Sequence, residues 1–154
     1  MNALPSSGLV GPSDSRPSPV SQEWTFPGRP ALCPELRRRT RAALTAFSRV
    51  VDDAELVVSE LFGNACRHSR SSDPDGTVTV GISALASGLI VLSVGDDGPR
   101  PDPVTGEPPL PQVKPLDVSA DRHRGLRLVT ALSHDWGFYD GDQGGRTVWA
   151  LFAR

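Results

Sequence analysis

Glu55-Leu56-Val57-Val58-Ser59-Glu60-Leu61-Phe62-Gly63-Asn64-Ala65-Cys66-Arg67-His68-Ser69 has the spacing of one amphipathic helix. Glu60, Asn64 and His68 recur at every fourth position and stack into a polar stripe, and Val57, Leu61 and Ala65 line the strip beside it. Asp52, with Glu55 three residues on, has the pattern of an N-cap in a capping box, which sets the expected start of this helix. A carboxylate followed one turn later by an amide suits a hydrated Mg²⁺: the amide oxygen ligates a hard cation, and the carboxylate takes a proton from a nucleophile. The same stripe also fits a solvated face that ends in a hydrogen-bonded histidine.

A length of 154 residues with a hydrophobic share of 38% accommodates one domain with a modest core. The net charge of -2 gives no electrostatic footprint for direct nucleic-acid binding. Lys114 is the only lysine and lies in a proline-rich stretch, so the chain has no Gly-Lys-Ser/Thr phosphate loop, which excludes a Walker-type site. Cys33 and Cys66 lie far apart without a CxxC pattern, which fits a reducing compartment and disfavours a disulfide framework or a zinc site. No apolar run has the length of a signal peptide core or reaches the roughly 18 residues of a membrane span, so a soluble, cytoplasmic protein is expected.

Residues 1–21, rich in proline and serine, bury too little apolar surface to offset the entropy of ordering and read as a flexible tail. Gln22 to Phe26 alternates polar with aromatic and stops at Pro27-Gly28, the signature of a short first strand. From Pro34 a helix carries Leu36, Ala43, Leu44 and Phe47 on its apolar side. Its Arg37, Arg38, Arg39 and Arg41 form either a basic patch for a partner or, as we favour, an ordinary solvated face. After the turn formers Ser71 to Gly76, the runs Thr77 to Ala84 and Leu89 to Gly95 form a hairpin. Ile90, Leu92 and Val94 share its covered face, and the same alternation puts Asp96 there too, where a carboxylate needs a donor. Residues 99–115 hold seven prolines and fit no helix or strand. Arg124 to Leu132 resumes helical spacing, with Gly125 at a helix start that favours an anion. Asp135 to Tyr139 and Arg146 to Phe152 are the final strands, whose Trp136 and Trp149 read as sheet aromatics.

Four pieces therefore stand in order: Glu60-x-x-x-Asn64-Ala65-x-x-His68, Asp96-Asp97-Gly98, Arg124-Gly125-Leu126-x-Leu128-Val129 and Gly145-Arg146-Thr147-Val148-Trp149. In that order and spacing the chain resembles the GHKL (histidine-kinase-like) ATPase superfamily. It is most similar to the small stand-alone anti-sigma-factor type ATP-binding proteins and serine kinases of Gram-positive partner-switching pathways. The resemblance implies an α+β fold, a two-layer sandwich of a mixed, largely antiparallel sheet with helices on one face (the Bergerat ATP-binding fold). It places an ATPase domain over residues 22–153, with ATP under a proline-rich lid at about 99–121.

By the same resemblance Glu60 would be the general base and Asn64 the Mg²⁺ ligand. Asp96 would accept the hydrogen bond of the adenine amino group, and Gly98 would keep the adenine pocket open. Arg124, Gly125 and Leu126 would meet phosphates and ribose, and Thr147 would complete the adenine contact. Arg100 replaces the second glycine of the family's first glycine box, and His123 the first glycine of the second. The implied function is an ATP-binding anti-sigma factor with serine/threonine kinase activity, its partners a sigma factor and the antagonist protein it phosphorylates. A homodimer through the sheet face or first helix fits the family. The alternative is a nucleotide-gated protein that sequesters a regulator without catalysis.

Overall fold

The computed structural model describes residues 20–108, 110 and 124–153. Its elements run β1 (Val20–Pro27), α1 (Cys33–Ala43), α2 (Val51–His68), β2 (Thr77–Ala84), β3 (Leu89–Asp96), α3 (Arg124–Leu132), β4 (Asp135–Asp140) and β5 (Arg146–Ala153). The strands form one five-stranded sheet in the order β1-β2-β3-β5-β4. Every pairing in it is antiparallel, so the mixed sheet expected from the resemblance is antiparallel throughout among the described residues. The β4–β5 hairpin explains this: β5 inserts between β3 and β4 and returns against both. Strand β1 begins at Val20, two residues before its expected start, which takes Val20 and Ser21 out of the tail expected over residues 1–21; residues 1–19 lie outside the described residues.

Alternation decides which face is covered. Val78, Val80, Ile82, Ile90, Leu92, Val94, Ala150 and Phe152 are buried, and the intervening Thr79, Gly81, Ser83 and Ser93 line the other, half-covered face. Helix α2 closes the core with Ala54, Val57, Val58, Leu61, Phe62 and Ala65, all buried, and Phe62 meets Phe26 of β1 edge-on at 6.0 Å. Its polar stripe is left to the rim. Trp136 packs at the edge of this core, while Trp149 stacks beside Gly137 on the opposite face.

The start of α2 is a correction. The helix begins at Val51 behind Val50, which makes no side-chain cap, so Asp52 is not the N-cap. Buried Leu44, Phe47, Val50 and Val51 carry the chain directly from α1 into α2, and the Phe47 carbonyl receives the Val51 N–H at 3.0 Å. The two carboxylates of the expected capping box turn to α1 instead: Arg41 reaches Asp52 at 2.7 Å and Glu55 at 2.6 Å, and Arg37 reaches Glu55 at 3.2 Å. Arg38 and Arg39 pair with Glu35. The arginine cluster is thus a set of exposed ion pairs, each worth about 0–1 kcal/mol, rather than an unpaired basic patch. No helix of the described residues is long and apolar enough to cross a membrane.

Candidate functional site

Glu60 and Asn64 project from the half-buried face of α2 toward the first turn of α3. A Cβ on Gly125 would stand 2.9 Å from Glu60 Oε2, 3.4 Å from Asn64 Nδ2 and 3.6 Å from Asn64 Oδ1. A side chain there would push the end of Glu60 aside and meet Asn64 at ordinary contact distance, so glycine leaves the Glu60 carboxylate where it stands. The described part of α3 begins one residue before Gly125, so the carboxylate and the amide lie beside its first residues. Leu126 packs its side chain against the core and fixes the turn in place. Arg124 opens α3, its side chain lying outside the described residues, as do Arg122 and His123. His68 ends α2 on the exposed side, and its carbonyl accepts the Arg100 N–H at 3.2 Å.

Asp96 closes β3 on the covered side and lies opposite Arg146. Its Oδ1 accepts the Gly98 N–H at 2.7 Å, the donor that its position demanded. Burial pushes this carboxyl above the ordinary aspartate range, and the Gly98 N–H and the Arg146 charge offset part of the rise. Arg146 is itself buried; it pairs with Asp140 at 2.7 Å and lies 5.1 Å above the Phe138 ring. Thr147 stands opposite Gly95 in the register, and so on the face away from Asp96.

The turn that follows is fastened to the end of α2. The Arg70 N–H donates to the Gly98 carbonyl at 2.9 Å, the Asp97 N–H to Ser71 Oγ at 2.9 Å, and the Thr77 N–H to Asp97 Oδ2 at 2.8 Å. The Arg70 side chain adds a bond to the Asp97 carbonyl at 3.0 Å. These bonds hold the Asp96 end of the sheet against the helix that carries Glu60 and Asn64. Sequence reading missed Arg70 and took Ser71 only as a turn former, and it quoted Arg146 without a role. Arg100 turns away from the site, pairing with Asp73 and donating to Ser72 Oγ at 3.1 Å.

Gly98 adopts φ +102°, and a Cβ there would overlap the Gly144 carbonyl oxygen. Gly98→Ala is expected to destabilise the fold by about 2–4 kcal/mol, from backbone strain plus displacement of the β4–β5 turn. Urea unfolding checks this: a midpoint unchanged from the parent would show that the turn yields freely.

Of the proline-rich stretch, residues 99–108 and 110 are described. Asp102 there accepts the Val104 and Thr105 N–H groups at 2.7 and 3.0 Å, which lowers its carboxyl pKa and ties an exposed turn. The rest of the expected lid lies outside the described residues. Among the described residues no group of three or more His, Cys, Asp and Glu is placed to hold a metal ion. A cation beside Asn64 would therefore draw its other ligands from phosphate oxygens and water, as Mg²⁺ commonly does.

Comparison with known proteins extends this geometry. A family model described as "Histidine kinase-like ATPase domain" matches residues 26–152. The crystal structure of the RsbU and RsbW domains of Rv1364c from Mycobacterium tuberculosis shares the fold at a TM-score of 0.62 and 19% identity, the match covering 86% of this chain and 32% of that one. No curated protein matches the chain.

Proposed function

The chain belongs to the histidine kinase-like ATPase domain family, which implies nucleotide binding, and from that premise we propose an anti-sigma-type regulator that phosphorylates a serine or threonine of an antagonist protein. The observation that supports the reading is the approach of Gly125 to Glu60 and Asn64, which brings a carboxylate and a side-chain amide beside the start of α3. In this reading Asp96 accepts from the adenine amino group, and the first turn of α3, with Arg124, receives the phosphates. Asn64 would hold Mg²⁺, which when bound would neutralise phosphate charge. Glu60 accepts the proton of the attacking hydroxyl as its oxygen bonds to the γ-phosphorus and the bond to the ADP oxygen breaks. The sigma factor, the antagonist, a homodimer and a cytoplasmic setting belong to the same proposal.

One observation favours a second reading, nucleotide-gated sequestration of a regulator without turnover. Where the family has a hinge-permissive glycine, Arg100 is tied to Asp73 and restrains the root of the lid. Incubation with γ-labelled ATP and candidate antagonists separates the two. Label on the antagonist supports the kinase; nucleotide-dependent partner affinity without label supports the gate, and neither result would overturn both.

The raised Asp96 pKa gives a pH signature. The unfolded chain ionises first, so ionisation of this carboxyl costs the fold stability. The nucleotide-free fold is expected to gain stability from this group as pH falls from the raised value toward the ordinary aspartate range. ATP affinity is expected to fall across that window, because the adenine amino group needs the ionised acceptor. Thermal melts and calorimetric titrations between about pH 4 and 7 check both slopes, and both should be absent in Asp96→Asn.

A further inference from the structure

Arg67 lies three residues beyond Asn64 on the exposed rim of α2, and its Nη2 donates to Asn64 Oδ1 at 2.8 Å. The guanidinium folds back along the helix, with Nη1 3.1 Å from where a Cβ on Gly63 would sit. The amide oxygen assigned to Mg²⁺ thus already has a cationic partner from its own helix. The oxygen keeps a second lone pair, but a guanidinium and a divalent ion repel each other at a separation of a few ångströms, so metal ligation there opposes the Arg67 bond.

We propose that Arg67 is a resident competitor for the Mg²⁺ position, holding Asn64 Oδ1 in the absence of metal and lending its charge to the phosphates when nucleotide binds without metal. This rests on the nucleotide reading above. Arginine suits both states, because its planar fork pairs with phosphate oxygens and its stem lets the head leave Asn64 without disturbing the buried side of α2. Toward the metal Arg67 acts through Asn64, as a positioning residue; toward metal-free nucleotide it acts directly, as a binding residue.

The test compares the parent with Arg67→Ala and Arg67→Lys in three measurements. In the nucleotide-free protein, the Asn64 side-chain amide resonances are expected to shift in Arg67→Ala, which reports the bond itself. In ATP-saturated protein, the half-saturating MgCl₂ concentration is expected to fall about three- to tenfold in Arg67→Ala, the range for a partly exposed charge-assisted bond. In EDTA, ATP affinity is expected to drop by a similar factor in Arg67→Ala and less in Arg67→Lys. Unchanged Asn64 resonances with an unchanged Mg²⁺ midpoint would overturn the role of Arg67 alone. A parent protein that binds no ATP would instead overturn the nucleotide reading, and that failure is visible before any variant is compared.

Discussion

Replacing Glu60 by glutamine is expected to lower phosphoryl transfer to the antagonist about 10²- to 10⁴-fold, the usual contribution of a positioned general base, with ATP affinity held within about threefold. Glutamine keeps the length of the side chain and its place against Gly125, so the packing of α2 on α3 survives. What it loses is the capacity to accept a proton at neutral pH. A residue serving only to hold the two helices together would behave differently, lowering nucleotide affinity and melting temperature along with transfer. Labelling of the antagonist, measured with calorimetric ATP binding, distinguishes these outcomes. Equal labelling by parent and variant would remove Glu60 from the chemistry.

Asp96→Asn is expected to weaken ATP binding about 10- to 100-fold, the range for losing a hydrogen bond to a partly buried charged acceptor. The geometry around the carboxyl explains why so small a change matters. One oxygen is committed to the Gly98 N–H, so an asparagine there keeps its carbonyl on Gly98 and turns its amide group toward the ligand. Two donors, that amide and the adenine amino group, then face each other. Guanine presents a carbonyl at the same ring position, so the variant's preference for ATP over GTP is expected to shrink or reverse. An unaltered ATP to GTP ratio would show that the adenine amino group is read elsewhere.

Much of this was legible in the sequence because it rests on periodicity. The fourfold spacing of Glu60, Asn64 and His68 fixes their common stripe, although tertiary contact sets Glu60 and Asn64 against α3 while leaving His68 outside at the end of the helix. The period of two along β3 carried Asp96 to the covered side, and the same rule applied to β5 puts Thr147 beside Gly95 on the other face. The start of α2 was not legible, since the carboxylates that resemble a capping box are claimed by Arg37 and Arg41 of another helix. Ser71 and Arg70 join the site by bonds to residues 26 and 27 positions away, which no local pattern encodes. The pair of Asn64 and Arg67 lies at helical i, i+3 spacing and could have been read in advance.

The most direct measurement is a crystal structure of the protein with Mg²⁺ and a non-hydrolysable ATP analogue. The adenine amino group is expected within hydrogen-bond distance of the Asp96 carboxylate, with the phosphates at the first turn of α3 beside Glu60 and Asn64. An analogue seated elsewhere, or bound with its amino group turned from Asp96, would contradict the assignment of Asp96, Glu60 and Asn64 to the nucleotide site.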